Sequence, residues 1–498
     1  MRYKFKTKPY KHQVAAIQKL IANGYGGALL MEPRTGKTKT CIDYASILHE
    51  AGKVSRVVIL CPVSVMDVWV AEIAMHCPEK YTVTVWDKNG RKNIPLPKFG
   101  RDCLDFVIIN YDAFSTPGAS TGRRSDGTLK RSRKRGGRYE VNSRVRRWQP
   151  HLIVLDESHR IKSPSARKST MVVKLGEVAP YRVIATGTAV TKKKRIFDLY
   201  MQWKFLNPES PLVKGHTSAT FKKRFGVWTE RNGYPQWLKE RNSKTLHKLV
   251  HAEAFAVTRE ECYDLPDNYP DQIIHVELEE SASVYDEMAA EMIAKIRSGE
   301  VTEASIALVL NLRLAQITSG IAKTAPSDRW PEGRLVRIGN EKLRILEDLL
   351  SDWYEQEEKL VICARFRADI SGIAKLSRKL KVEPSLIYGG QSRTERTAAI
   401  SEFRAKSGPA LVIMNPQAGS LGIDLRTAST MIWYSLTQSY VDYTQGKDRI
   451  ALSGKANRYV YLLGKDTIDE LQYQALQEDG DVVKAVMASP ELLQRNFR

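Results

Sequence analysis

Met31-Glu-Pro-Arg-Thr-Gly-Lys-Thr38 follows a short apolar run, Gly27–Met31, and precedes a helix-like run. A strand that ends in such a loop and re-emerges as a helix points its backbone N–H groups at one spot. The helix N-terminus adds positive potential there. This is a site for a polyphosphate. Lys37 can reach the β- and γ-phosphates and Thr38 can ligate magnesium. The first glycine of the G-x-x-x-x-G-K-[ST] pattern is replaced by Met31. Gly36-Lys37-Thr38 therefore carries the signal and needs a second one.

Leu155-Asp-Glu-Ser-His159 supplies it. It closes another buried strand, which puts Asp156 at the carboxyl edge of the sheet, beside the first loop. Asp156 is expected to hold magnesium directly or through water. Glu157 is expected to position and polarise the attacking water. Phosphoryl transfer asks mainly for positioning and charge neutralisation, so these few groups suffice.

Further out, short β-branched runs alternate with helical patterns, the mark of parallel sheets. In the first half they are 27–31, 57–61, 106–110, 152–155 and 182–185. In the second half they are 360–364, 385–388, 410–414, 430–434 and 459–463. They are apolar throughout rather than alternating, as strands covered by helices on both faces must be. The expected fold is α/β, with two P-loop-type lobes of parallel sheet flanked by helices. Residues 1–224 form lobe one, 225–339 a mostly helical insertion and bridge, and 340–498 lobe two. The helical expectation rests on 279–297 and 302–317, where apolar residues recur every three or four positions.

The 498 residues carry a net charge of +22, which favours a polyanionic partner. One stretch, 115–147, has eleven basic residues against two acids and no core-forming pattern. It is expected to be a solvated loop. The six cysteines form no C-x-x-C pair, which argues against a zinc ribbon or a disulfide framework. The longest apolar run, 57–70, is interrupted by Pro62 and Asp67 and is too short to span a bilayer. A reducing, cytosolic protein is expected.

The ordered motifs resemble those of superfamily 2 helicases, specifically the Swi/Snf-type ATPases, in a compact form. Tyr10-Lys-His-Gln13 resembles the adenine-reading Gln motif. Val57-Val-Ile-Leu-Cys-Pro-Val-Ser64, with Trp69, resembles a motif that helps hold one DNA strand. Phe106 to Tyr111 matches the next strand and its nucleic-acid-contacting end. The acidic box continues as Arg160-Ile-Lys-Ser163, and Ala185-Thr-Gly-Thr188 resembles the motif that couples nucleotide to DNA movement. In the second half, Tyr388-Gly-Gly-Gln391, Ala418-Gly-Ser-Leu-Gly-Ile-Asp-Leu425 and Gln445-Gly-Lys-Asp-Arg449 match later motifs.

The resemblance implies two RecA-like P-loop lobes with nucleotide hydrolysed between them, in a monomer of a bacterial or phage-infected cell. It assigns ATP binding to Gln13, Thr35, Gly36, Lys37, Thr38 and Asp424. It assigns magnesium to Thr38 and Asp156, and catalysis to Glu157, Gln445 and the arginine finger Arg449. Coupling falls to Thr186, Gly187 and Thr188. Nucleic-acid contact falls to Ser64, Tyr111, Lys162, Gly389, Gly390, Gly419 and Ser420. The family's last motif usually carries a second arginine where this chain has Leu452. Either Arg449 suffices, or Lys455 substitutes, or hydrolysis is slow. The expected activity is ATP-dependent translocation on double-stranded DNA. The alternatives are a strand-separating DNA or RNA helicase, and an ATP-gated DNA-binding regulator with little turnover.

Overall fold

In the computed structural model the described residues are 3–86, 102–114, 140–187, 196–231, 234–263, 268–297, 304–324, 334–355, 358–419, 423–451, 453–478, 493 and 495. The chain divides into two compact units, Met1–Asp264 and Leu265–Arg498.

The first unit contains strands β1 (Gly26–Met31), β2 (Arg56–Cys61), β3 (Tyr81–Trp86), β4 (Leu104–Asn110), β5 (Leu152–Asp156), β6 (Tyr181–Ala185), β7 (Gly226–Arg231), β8 (Tyr234–Glu240) and β9 (Ala254–Val257). Seven of them form one sheet in the order β3-β4-β2-β5-β6-β1-β9, every pair parallel. β7 and β8 make a separate antiparallel hairpin. The central strands are buried along nearly their whole length. Successive side chains enter different cores: Val58, Leu60, Ile153 and Leu155 join one, while Val57, Ile59, Leu152 and Val154 join the other. Each such buried side chain contributes roughly 1.5–3 kcal/mol, so a polar residue on either face would be costly. All five strand positions read from the first half of the sequence are occupied by strands.

The second unit contains β10 (Gln272–Val276), β11 (Ile321–Lys323), β12 (Leu335–Arg337), β13 (Lys359–Cys363), β14 (Ser385–Ile387), β15 (Ala410–Met414), β16 (Thr430–Trp433) and β17 (Arg458–Gly464). Its main sheet runs β10-β17-β16-β13-β15-β14, again parallel throughout. The five strands expected here are also present.

Two expectations are corrected. The stretch 225–339 is not a separate helical insertion. β9 pairs with β1 in the first sheet and β10 pairs with β17 in the second, so this stretch closes both sheets. Its helices Ala282–Arg297 and Ala304–Thr318 are where periodicity put them. They belong to the second unit, where Tyr285, Met292 and Leu314 share a core with Ile468. The edge strands were missed because β9 has only four residues and Gln272, Ile273 and His275 in β10 are not buried, so neither shows the apolar run of a central strand.

The basic stretch is corrected at its end. Glu140–Trp148 is a helix, with Val145 and Trp148 buried in the first unit's core and Arg144 over the ring of Trp86. Residues 115–139 lie outside the described residues. No helix among the described residues is long and apolar enough to cross a membrane.

Candidate active site

The phosphate loop leaves the carboxyl end of β1 and enters helix Lys37–Glu50 through Gly36, at φ +84°. Only glycine fits. The left-handed backbone disfavours a side chain, and a Cβ there would lie 2.0 Å from Gln13 Nε2. Gln13 Nε2 donates to the Thr35 carbonyl at 3.4 Å, and His12 Nε2 lies 2.8 Å from the same oxygen. Gln13 Oε1 accepts from Tyr10 N at 3.0 Å. The Gln motif is thus docked on the loop. Lys37 Nζ donates to the carbonyls of Met31 and Glu32 at 2.8 and 3.0 Å. Arg34 sits at φ +70° without being glycine, a state costing about 1 kcal/mol or more.

Asp156 ends β5, two strands from β1 in the same sheet. Trp69 Nε1 donates to Asp156 Oδ2 at 2.9 Å, and Tyr111 Oη donates to the Asp156 backbone carbonyl at 2.7 Å. Glu157 follows at φ +54°, another strained position. The strain is held by its carboxylate: Oε2 accepts from Thr186 Oγ1 at 3.3 Å and faces His159 Nδ1 at 3.3 Å.

The electrostatics differ between the two acids. Burial, with the Glu157 charge alongside, pushes Asp156 above the usual carboxylate range. Burial would also raise Glu157, but His159, Lys37 and Thr186 together hold it below that range. Lys37 lowers both, so the loop lysine and the acidic pair share one electrostatic site. Gly187 completes it. A Cβ there would lie 2.7 Å from Pro33 Cδ, so the coupling segment presses on the phosphate loop. Gln13, Thr35, Gly36, Lys37, Asp156, Glu157, Thr186 and Gly187 are therefore one assembly. Thr38 is half-buried in the first turn of helix Lys37–Glu50.

The donor set fits a hard divalent cation. Asp156 has one oxygen engaged by the Trp69 indole rather than by a cation. A threonine hydroxyl and one carboxylate, with room for water and phosphate oxygens, are what magnesium takes.

In the second unit, Arg449 follows helix Tyr440–Lys447, on which Gln445 is half-buried. Arg449 is 9 % exposed, and its Nη1 donates to the Ile423 carbonyl at 3.2 Å. Leu425 N donates back to the Arg449 carbonyl at 3.0 Å. Ile423 and Leu425 are thus bonded directly to Arg449. Gly389 and Gly390 are exposed, with Arg367 Nη2 on the Gly389 carbonyl at 2.7 Å.

Several expected roles change. Tyr111 is 1 % exposed and braces β5, so its ring does not meet nucleic acid. Trp69, 2 % exposed, orients Asp156 rather than holding a DNA strand. Asp424 pairs with Arg404 and Arg426 at 2.8 and 2.9 Å. Lys455 is 69 % exposed and pairs with Glu358 at 3.4 Å. Lys162 caps the turn Ser158–Ile161, half-buried. Gly419 ends the short helix Pro416–Gly419. Thr188, Ser420, Leu452 and the side chain of Ser64 lie outside the described residues. Sequence reading missed His159 as a partner of Glu157, and missed Arg259 altogether. Arg259 reaches Glu32 from 227 residues away, with no local signal.

An anion-binding loop, an ammonium and an adjacent carboxylate pair on one parallel-sheet edge define a P-loop nucleotide hydrolase. Residues 10–319 match the SNF2-related domain, and residues 341–454 match the helicase conserved C-terminal domain. The chain belongs to the SNF2-related family of helicase-like ATP hydrolases, and its two units are the two RecA-like lobes of that family.

It is 22 % identical over 487 residues to an uncharacterized ATP-dependent helicase, MG018, of Mycoplasma genitalium, across 96 % of this chain and 42 % of that protein. It is 25 % identical over 485 residues to a probable global transactivator of Orgyia pseudotsugata multicapsid polyhedrosis virus, across 91 % and 85 %. It is 23 % identical over 529 residues to the human DNA excision repair protein ERCC-6, across 98 % and 33 %. The chain thus spans less than half of the mycoplasmal and human proteins. Among solved structures it is similar to a Sulfolobus solfataricus SWI2/SNF2 ATPase core in complex with dsDNA, at 21 % identity and a TM-score of 0.44, covering 99 % of this chain and 98 % of that one.

Proposed function

We propose that this protein is an ATP-dependent translocase on double-stranded DNA. The observation that carries the reading is the assembly of Lys37, Asp156, Glu157 and Thr186 on one sheet edge, in a chain matched by both family domains in order. The net charge of +22 favours a polyanionic track. The named roles of the relatives, helicase and DNA repair, agree with it.

Lys37 and the loop N–H groups would bind the triphosphate, and Gln13 would read the base. Glu157, held by His159 and Thr186 in its ionised form, orients a water and accepts its proton. Thr38 and Asp156 are the residues that would hold magnesium, which supplies charge neutralisation at the β- and γ-phosphates. Arg449 of the second unit is the proposed cation for the transition-state charge. Thr186 and Gly187 touch both Glu157 and the phosphate loop, so they are positioned to relay hydrolysis to the DNA grip. An open–close cycle of the units would then shift that grip along the backbone. Backbone contacts carry no base identity, so little sequence preference is expected. A reducing cytosol is the proposed compartment, since all six cysteines are free and four are buried.

The test is the ATPase stimulation profile with duplex, single-stranded and forked DNA and with RNA, followed by triplex displacement. Stimulation by duplex with displacement of a third strand supports translocation. Unwinding of a fork without triplex displacement would replace it with strand separation.

A further inference from the structure

Two residues within the phosphate loop, Glu32 and Arg34, have no part in the chemistry above, yet both are tied to one distant segment. Glu32 Oε2 accepts from the backbone N–H of Arg259 and from its Nε, each at 3.1 Å. Glu32 N donates to the Val257 carbonyl at 3.1 Å. Tyr263 Oη donates to the carbonyl of Arg34 at 3.0 Å, at the residue held in the left-handed region. Thr35, next in the loop, is held from the other side by His12 and Gln13. The two sides meet: the Tyr263 ring packs edge-on against Tyr10 and His12, with centroids 5.7 and 6.0 Å apart. The loop therefore runs through a closed ring of contacts made by 10–13 and 257–263.

The charges make the same point. Glu32 puts a carboxylate inside a loop that must receive a polyanion. Left alone it would repel phosphate and compete for Lys37. Arg259 neutralises it and turns it into an anchor.

We propose that Arg259 and Tyr263 are positioning residues for the nucleotide. The segment Thr258–Tyr263 is a tether that holds the loop in its phosphate-receiving shape and cancels the charge of Glu32. This rests on the reading that the Lys37 loop binds ATP. It adds that a segment at the far end of the first unit's chain sets the affinity of that loop.

The experiment measures KM and kcat for ATP, fluorescent mant-ADP binding and thermal melting on the full chain. Arg259→Ala should raise KM and weaken mant-ADP binding by about tenfold, the scale of one lost charge-assisted pair. At saturating ATP kcat should stay within about threefold, because Glu157 and Arg449 are untouched. Tyr263→Phe keeps the ring and loses the hydroxyl bond, so KM should rise by about fivefold. Arg259→Lys should recover part of the loss. The double exchange Glu32→Arg with Arg259→Glu should recover more than either single change predicts.

Unchanged KM in both Arg259→Ala and Tyr263→Phe overturns the tether. So does a double exchange that melts like wild type but leaves KM as high as in the single variants. Lys37→Ala separates the two levels of the argument. If it binds mant-ADP normally, the nucleotide reading itself is wrong. If it loses binding while Arg259→Ala does not, only the tether falls.

Discussion

The two units are built on the same parallel-sheet plan, yet the acid pair beside the phosphate loop of the first is held differently from Asp424 and Asp469 of the second. In the first unit, Asp156 and Glu157 are held by an indole, a hydroxyl and an imidazole. None of these partners is a fixed cation, so the carboxylates keep the capacity to bind a metal or polarise water. In the second unit, Asp424 is gripped by Arg404 and Arg426, and Asp469 by Lys342 at 2.6 Å in near-complete burial. Those acids are each paired with a fixed cation. An acid paired with a fixed cation stabilises or specifies structure, whereas an acid with no arginine or lysine bonded to it remains available for chemistry.

The largest expected effects test the chemical side of this contrast. Lys37→Ala and Glu157→Gln should each lower DNA-stimulated ATPase by about a thousandfold or more. Glu157→Gln should still bind ATP, because the loop is intact. Undiminished turnover in either variant removes the central claim.

Arg449→Ala comes next. Turnover should fall by about a hundredfold, with nucleotide affinity changed much less. A loss of only a few fold would assign the transition-state charge to another cation.

Trp69→Phe probes the neutral donors themselves. It keeps most of the packing and removes the hydrogen bond to Asp156. We expect a five- to tenfold loss in kcat/KM, about 1 kcal/mol, with a higher magnesium requirement. An unchanged magnesium titration would mean that the indole bond does not orient the acid.

Asp369 breaks the pattern of the second unit, because it is a buried acid held by a hydroxyl rather than by a cation. It is fully buried, accepts from Ser435 Oγ at 2.7 Å, and one of its oxygens has no partner among the described residues. Burial pushes its carboxyl up to about 7, against the Ser435 bond and the charges of Lys342 and Arg337. The folded state therefore holds the proton more tightly than the unfolded chain, where the value is about 3.9. The resulting stability is complete below about pH 4 and is lost as pH rises through 7. Asp369→Asn should accordingly stabilise the chain at pH 8, by about 2–4 kcal/mol, and do little at pH 4. Equal melting shifts at both pH values would show that Asp369 is paired better than its geometry indicates.

The smallest effect on turnover is expected for the basic stretch. Replacing 118–139, up to the start of helix Glu140–Trp148, with a short Gly/Ser linker should weaken DNA binding and flatten its salt dependence, since neutralised phosphates set that slope. The maximal ATPase rate should survive, because Val145 and Trp148 still anchor the returning helix. A salt titration of DNA binding reads the first outcome and ATPase at saturating DNA the second. An unchanged slope makes the stretch a bystander.

Much of this was written in local sequence. The ten strands read from the sequence, all but β14 internal to their sheets, declare themselves because a strand covered on both faces is apolar along its length, as in Val57–Cys61 and Ala410–Met414. Gly36, Lys37, Asp156 and Glu157 declare themselves because their chemistry requires a fixed order around one strand end. Other features were decided only by the folded chain. β9 and β10 are edge strands, and their membership depends on which neighbour offers free backbone groups. Tyr111 looked like a surface contact, but only the packing of β4 beside β2, with β5 next in the sheet, turns it inward to Asp156. Arg259 reaches Glu32, and Tyr263 reaches Arg34, across more than two hundred residues. Periodicity and spacing report on neighbours within a turn or a strand. Contacts of that span arise when sheet closure brings the chain back, so they belong to the tertiary structure alone.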